Sequence, residues 1–155
     1  ARGISIDILQ PMYSLVKRQV EVEILPMAAD QGILVAPYSP LGSGLLTGKY
    51  SAGDEVGRLA TDKRYAARYG QDWMHNAAKD LADIGAELGV HPATLAAAWA
   101  AKHATHPTPI LSARTVDQLA PSLAAVDYQM TDEVYARLSA LTPTPPPATD
   151  RLEEA

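Results

Sequence analysis

The chain has 155 residues with 47% hydrophobic and 20% charged content, enough for one domain with a real core. Its net charge of −5 argues against nucleic acid or an anionic membrane surface as partner, since either calls for a basic face. There are no cysteines, so disulfides and thiolate zinc sites are excluded, which suits a cytoplasmic setting.

In chain order, the first strand signal is Ile4-Ser5-Ile6-Asp7-Ile8-Leu9-Gln10, stopped by Pro11. The opening residues Ala1 to Ile4 lack a charged segment followed by a long apolar stretch, so no signal peptide is expected. No run reaches the ~18 apolar residues of a membrane span. Glu21 to Ala29 reads as a short helix closed by Gln31-Gly32. A second strand, Gly32 to Ser39, is almost continuously apolar and ends at Pro40, as expected of a strand buried on both faces of a parallel sheet. Residues 50–70 form a long polar connection. Residues 72–88 then place Leu81, Ile84, Gly85 and Leu88 on one helical stripe, with Gly89 as C-cap. His91-Pro92 restarts a helix that runs to Ala101. Pro109-Ile110-Leu111-Ser112 is a third, brief strand. Thr115 caps a helix over 116–126, and Thr131-Asp132-Glu133 opens a last one over 132–141, with Val134, Leu138 and Leu141 on its apolar face. The proline-rich stretch from Thr142 to Pro147 begins a tail, 142–155, expected to be extended and flexible.

Strands alternating with helices predict an α/β architecture with parallel pairing and right-handed crossovers. Three strands close no barrel, and both outer ones would expose unpaired backbone groups, so open strand edges are available for self-association. None of the four histidines has a metal-ligand spacing; His103-x-x-His106 runs into Pro107 and reads as surface. Tyr65, Tyr69 and Trp73 either shape the lip of a substrate pocket or pack the long connection. The stretch Gly42 to Lys49 has the look of a phosphate loop but fails the P-loop pattern: Ser43 stands five before Gly48, and Tyr50 follows Lys49.

Two segments carry a family resemblance. The first runs from Gln10-Pro11-Met12-Tyr13-Ser14-Leu15 through Glu21 to Pro26 and on to Tyr38-Ser39-Pro40-Leu41-Gly42-Ser43-Gly44-Leu45-Leu46-Thr47-Gly48-Lys49-Tyr50. The second is Pro109 to Leu119, containing Ser112-Ala113-Arg114-Thr115. Together they resemble the aldo/keto reductases from the sixth barrel strand onward, over nearly all of residues 3–141. That similarity implies part of a (β/α)8 TIM barrel, its last three βα units plus a C-terminal helix, with residues 1–141 as the barrel part. It implies an NADP(H)-dependent oxidoreductase that reduces aldehydes or ketones to alcohols, with a small-molecule carbonyl as substrate. Gln10 would bond the nicotinamide carboxamide, which its donor-and-acceptor amide suits, and Tyr38 would stack on the nicotinamide. Ser39, Leu41, Ser43 and Lys49 would line the diphosphate, with Arg58 folding over the phosphates. Ser112, Arg114 and Gln118 would hold the adenosine 2′-phosphate and ribose, at a helix start that favours anions. Arg114, as a permanent bidentate cation, argues for NADP(H) over NAD(H); a solvated surface charge is the alternative.

Two departures follow. After Gln118-Leu119 the family continues with acidic residues and an adenine-contacting Asn, where this chain has Ala120-Pro121-Ser122. The family's catalytic tetrad of Asp, Tyr, Lys and His lies on earlier strands and maps to no residue here. Tyr13, Lys17 and His75 are not replacements. The chain by itself is therefore expected to be inactive, with weak or no enhancement of NADPH fluorescence. The competing expectation is a non-catalytic nucleotide-binding or regulatory half-barrel that assembles with a partner.

Overall fold

The computed structural model describes residues 3, 5–49 and 63–147. Two short strands, β1 (Ile8–Leu9) and β2 (Leu34–Val35), pair in parallel with Ile8 opposite Leu34 and Leu9 opposite Val35. Ladder bonds continue beyond them. Ala36 N–H donates to Leu9 O at 2.9 Å, Tyr38 N–H to Pro11 O at 2.9 Å, and Tyr13 N–H to Tyr38 O at 3.2 Å. The regular strands are shorter than their apolar runs because Pro11, Pro37 and Pro40 lack the donors a longer ladder needs.

The expected third strand forms no regular strand, yet it lies alongside β2. Thr108 N–H donates to Val35 O and Ile110 N–H to Pro37 O, both at 2.8 Å. Backbone groups alternate sides along a strand, so the nitrogens of Pro107 and Pro109 face away from β2. Proline is tolerated at such an edge. All three segments run the same way.

The expectation that the second strand is buried on both faces does not hold. Val35 is buried, but Leu34 is 67% exposed, and its cross-strand neighbour Ile8 is 56% exposed. Side chains alternate between faces, and the helices cover only the face that carries Val35.

Six α-helices, α1 (Ile24–Asp30), α2 (Lys63–Tyr69), α3 (Asp72–Leu88), α4 (Pro92–Lys102), α5 (Val116–Leu123) and α6 (Asp132–Ser139), and three 3-10 turns, Gln19–Glu21, Gly42–Thr47 and Ala124–Val126, complete the described residues. Helix α2 corrects the reading of 50–70 as loop throughout. In Lys-Arg-Tyr-Ala-Ala-Arg-Tyr, Tyr65 and Tyr69 are spaced i, i+4 among good helix formers. Helix α3 matches its expected limits, and Gly89 closes it at φ 64°. It buries Met74, Ala77, Ala78, Leu81, Ile84 and Gly85, while Leu88 is 37% exposed rather than on the buried stripe.

Helix α4 is the centre of the core, with every residue from Ala93 to Ala100 buried. Its alanines let neighbours approach closely while Trp99 fills the space between them. Trp99 lies 5.2 Å from the Tyr13 ring and 5.9 Å from the Tyr135 ring, and its Nε1–H donates to Ser139 Oγ at 2.8 Å. Arg18 completes this cluster. Its guanidinium forks onto Glu21 (2.9 Å), donates to Ser139 O (2.9 Å) and to Thr142 Oγ1 (3.3 Å), and lies 5.5 Å from the Trp99 ring. The start of the proline-rich segment is thereby tied down, and Thr142 is buried.

Helix α5 is shorter than expected and gives way to the 3-10 turn at Ala124–Val126. Pro121 lies inside it, beyond the first turn, where it removes one donor. The Pro121 carbonyl accepts a 2.6 Å bond from Thr94 Oγ1, which pins α5 to α4. Helix α6 likewise ends at Ser139 rather than 141.

Candidate functional site

Parallel direction decides which groups meet. Gln10, Tyr38 and Ser112 each follow the C-terminal end of one of the three aligned segments, so all three emerge at one end of the sheet. Gln10 and Ser112 are exposed and Tyr38 is 39% exposed. Met12 bridges Tyr38 in register, which puts Gln10, Met12 and Tyr38 on the uncovered face by alternation.

The chain after Tyr38 turns through left-handed conformations. Ser39 has φ 58°, Gly42 56°, Ser43 57°, Gly44 94° and Gly48 80°. Two of these are serines, and each carries about 1 kcal/mol of backbone strain that a glycine would not. The turn is held from beneath by buried Leu45 and Leu46, and from within by Gly44 N–H to Leu41 O (3.0 Å) and Thr47 Oγ1 to Gly44 O (2.8 Å). Leu41 is part-buried against the core. A Cβ on Gly44 would lie 3.2 Å from Lys49 Nζ, so the lysine ammonium sits directly over this bare stretch of backbone. Bare backbone, serine hydroxyls and an ammonium together suit a phosphate group.

At the third segment, Thr115 Oγ1 accepts from Gln118 N–H (3.3 Å) and caps α5. Gln118 Oε1 accepts from Arg114 N–H at 3.4 Å, which ties the two expected ligands to each other. Arg114 and Gln118 are exposed, and Arg114 forms no ion pair among the described residues. The first N–H groups of a helix lack intrahelical partners, so this corner offers donors and a cation together. Arg58 lies outside the described residues.

The sequence left Tyr65, Tyr69 and Trp73 undecided between pocket and packing. Tyr69 is fully buried, with its hydroxyl 3.6 Å from Met12 Sδ. Its pKa is raised by burial, against the opposing pull of the Ser43 hydroxyl, the Arg68 charge and the Ser39 hydroxyl. The helix that ends at Tyr69 packs against the strained turn, a position that the spacing of Tyr69 from Tyr65 signals only as a helical pair. Trp73 is part-buried and donates to Gln71 Oε1 at 2.6 Å.

No group of three metal-ligating side chains gathers among the described residues. His91 caps α4 by accepting from Ala93 N–H at 3.0 Å. His103 is part-buried, and burial is the main cause of its lowered pKa. A broad hollow lies between Val90, His91, Thr94, Asp117, Pro121 and Tyr128. It is open to solvent, and none of the strand-end residues lines it. No helix among the described residues is long and apolar enough to cross a membrane.

The sequence profile of the Aldo/keto reductase family matches residues 1–143, and the chain belongs to that family. It is 32% identical over 136 residues to a Bacillus subtilis protein named "Uncharacterized oxidoreductase YrpG", covering 88% of this chain and 40% of that protein. It is 37% identical over 123 residues to an Arabidopsis thaliana protein named "Probable voltage-gated potassium channel subunit beta", covering 76% and 38%. An Escherichia coli "NADH-specific methylglyoxal reductase" is 30% identical over 127 residues, covering 82% and 39%. The chain thus spans less than half the length of these relatives. Membership makes this an oxidoreductase-family chain, and the family implies a (β/α)8 barrel, with which the parallel segments and their covering helices are consistent.

Proposed function

We propose that this chain supplies the dinucleotide-gripping part of an NADP(H)-dependent carbonyl reductase barrel. The observation that carries the reading is the shared end of three parallel segments, from which Gln10, Tyr38, the Ser39–Lys49 turn and the Ser112–Gln118 corner all emerge. The turn meets the demands of a diphosphate: left-handed backbone, two serines, and Lys49 over Gly44. Gln10 would orient the nicotinamide carboxamide, and Tyr38 would cover one face of its ring. Ser112, Arg114 and Gln118 would hold the 2′-phosphate. The bound dinucleotide would supply the hydride, and an aldehyde or ketone would receive it.

The residues named here would bind and orient; none of them is assigned the transfer of a proton to a carbonyl. The chain alone is accordingly expected to bind NADPH weakly and to turn over no carbonyl. One relative is named for NADH specificity, and Arg114 is the residue expected to set the preference in this chain. The test is a titration of the full chain with NADPH and NADH, followed by tryptophan fluorescence and NMR. Arg114→Ala is expected to weaken NADPH binding about tenfold or more, the size of a lost charge-assisted contact, and to leave NADH nearly unchanged. Equal effects on the two cofactors would defeat the 2′-phosphate assignment, and carbonyl turnover by the isolated chain would defeat the claim that its chemistry lies elsewhere.

A second reading is a nucleotide-binding or regulatory half-barrel that assembles with a partner. The uncovered aliphatic face favours it, with Ile6 and Ile8 on one segment, Leu34 on the next and Ile110 on the third, all exposed.

A further inference from the structure

Lys17 is brought to the phosphate turn by a tight reversal of the chain. Ser14 N–H donates to Lys17 O at 3.1 Å, and Lys17 N–H donates back to Ser14 O at 2.9 Å. Leu15 and Val16, inside the reversal, are buried. A Cβ on Gly42 would lie 3.2 Å from Val16 Cγ2, so the reversal is seated directly against the turn. Lys17 then places its Nζ over the face of Tyr69, 5.8 Å from the ring centroid. The helix that carries Tyr69 packs against the turn that holds Ser43. One buried ring thus supports a lysine on its face, beside the turn that carries the two strained serines.

Among the described residues, the charge around Lys17 is one-sided. No carboxylate among the described residues pairs with it. Arg18, its neighbour in sequence, is neutralised by Glu21. Burial lowers the Lys17 pKa, and the positive charge of Arg68 adds to the effect. A part-buried ammonium beside a second cation is held at a cost unless an anion joins it. The face of Tyr69 offsets only part of that cost, on the order of 0.5–1 kcal/mol. On the other flank of the turn, Lys49 lies over Gly44.

We infer that Lys17 is a phosphate-binding residue of this chain, its ammonium gripping a phosphoryl oxyanion seated on the Ser39–Ser43 turn. Tyr69 is the positioning residue, since its ring holds the lysine beside the turn. The inference rests on the dinucleotide reading above for the source of the phosphate. A dinucleotide diphosphate and a free phosphoryl compound present the same oxyanion, and the experiment separates them.

The full chain is titrated with NADPH and, separately, with inorganic pyrophosphate, while NMR follows the Lys17 side-chain ammonium and the backbone amides of Tyr38–Lys49 and Arg114–Gln118. Both ligands are expected to shift the Lys17 ammonium. Lys17→Met is expected to weaken both about tenfold, and Lys17→Arg to retain most of the affinity, because a cation is what the subsite needs. Tyr69→Phe, which keeps the ring, is expected to broaden or shift the Ser39 and Ser43 amides and weaken pyrophosphate. A response to pyrophosphate alone supports the subsite and gives it to a free phosphoryl ligand. If NADPH shifts the Tyr38 and Arg114 signals while the Lys17 ammonium stays still and Lys17→Met binds normally, the inference is overturned and the dinucleotide reading stands. If neither ligand moves any strand-end signal at millimolar concentration, both are overturned. The ammonium signal is read in the unmutated chain, so a poorly folding variant does not blunt the test.

Discussion

Replacing Gly85 with alanine should destabilise the chain, although the same change in most helices does the opposite. Gly85 lies in the last turn of α3 and is buried. On helix propensity alone, alanine there would gain about 1 kcal/mol. The added methyl, however, would stand 2.6 Å from the Val90 carbonyl oxygen and 3.5 Å from Pro92 Cδ. That carbonyl belongs to the backbone between two helices, and Val90 N–H is itself bonded to Gly85 O at 2.8 Å. Relief requires α3 and the start of α4 to move apart, and overpacking of this kind costs about 1–3 kcal/mol. Set against the propensity gain, a net loss of about 1 kcal/mol is expected, or roughly 2–4 °C in Tm for a chain of this size. Urea unfolding followed by circular dichroism measures it. Ala86→Gly, at an exposed position on the same helix, serves as a control and should lose about 1 kcal/mol through propensity alone. A higher midpoint for Gly85→Ala would refute the close packing of the α3–α4 corner.

Two further outcomes concern the cluster around Trp99. Tyr13→Phe removes the 2.8 Å bond to Glu21 Oε1; a bond to a charged acceptor is worth about 1.5–3 kcal/mol, so the urea midpoint should fall clearly. The His103 Nδ1 accepts from Thr105 N–H at 3.2 Å, so the folded chain holds this ring neutral, and burial lowers its pKa from 6.5. The unfolded chain then binds the proton more readily, so stability is present above the ordinary histidine value and declines as pH falls through it. Unfolding midpoints between neutral pH and mildly acid pH should show this slope, and His103→Gln should flatten it; an unchanged slope would mean that another group titrates.

Helix α3 was legible in the sequence to the residue because three signals agree there: an apolar stripe at helical spacing, a polar opposite face and a terminal glycine in the left-handed region. Helix α2 was hidden because its buried residue, Tyr69, sits in a run that is otherwise charged and exposed. Apolar content gave away the strands but not their coverage. Leu34 and Val35 look alike in sequence, yet only one faces the helices, and that depends on what else packs against the sheet. For the site, the motif from Tyr38 to Lys49 pointed to a phosphate turn, and the structure shows a turn there that passes through left-handed backbone. Lys17 and Tyr69 could not be read the same way, because they meet the turn across the fold rather than along the chain.

The two prolines beside β2 also decide how the sheet can be extended. Pro107 and Pro109 turn their nitrogens to the outer margin, so over this stretch that margin offers carbonyl oxygens and no hydrogen to share. Two such margins brought together would set oxygen against oxygen, and a symmetric zipper of like edges is ruled out there. The opposite margin, along Ile8 and Gln10, retains its amide hydrogens. Any neighbour recruited at the proline side must therefore bring the donors itself, which permits head-to-tail docking and forbids a mirror-image handshake.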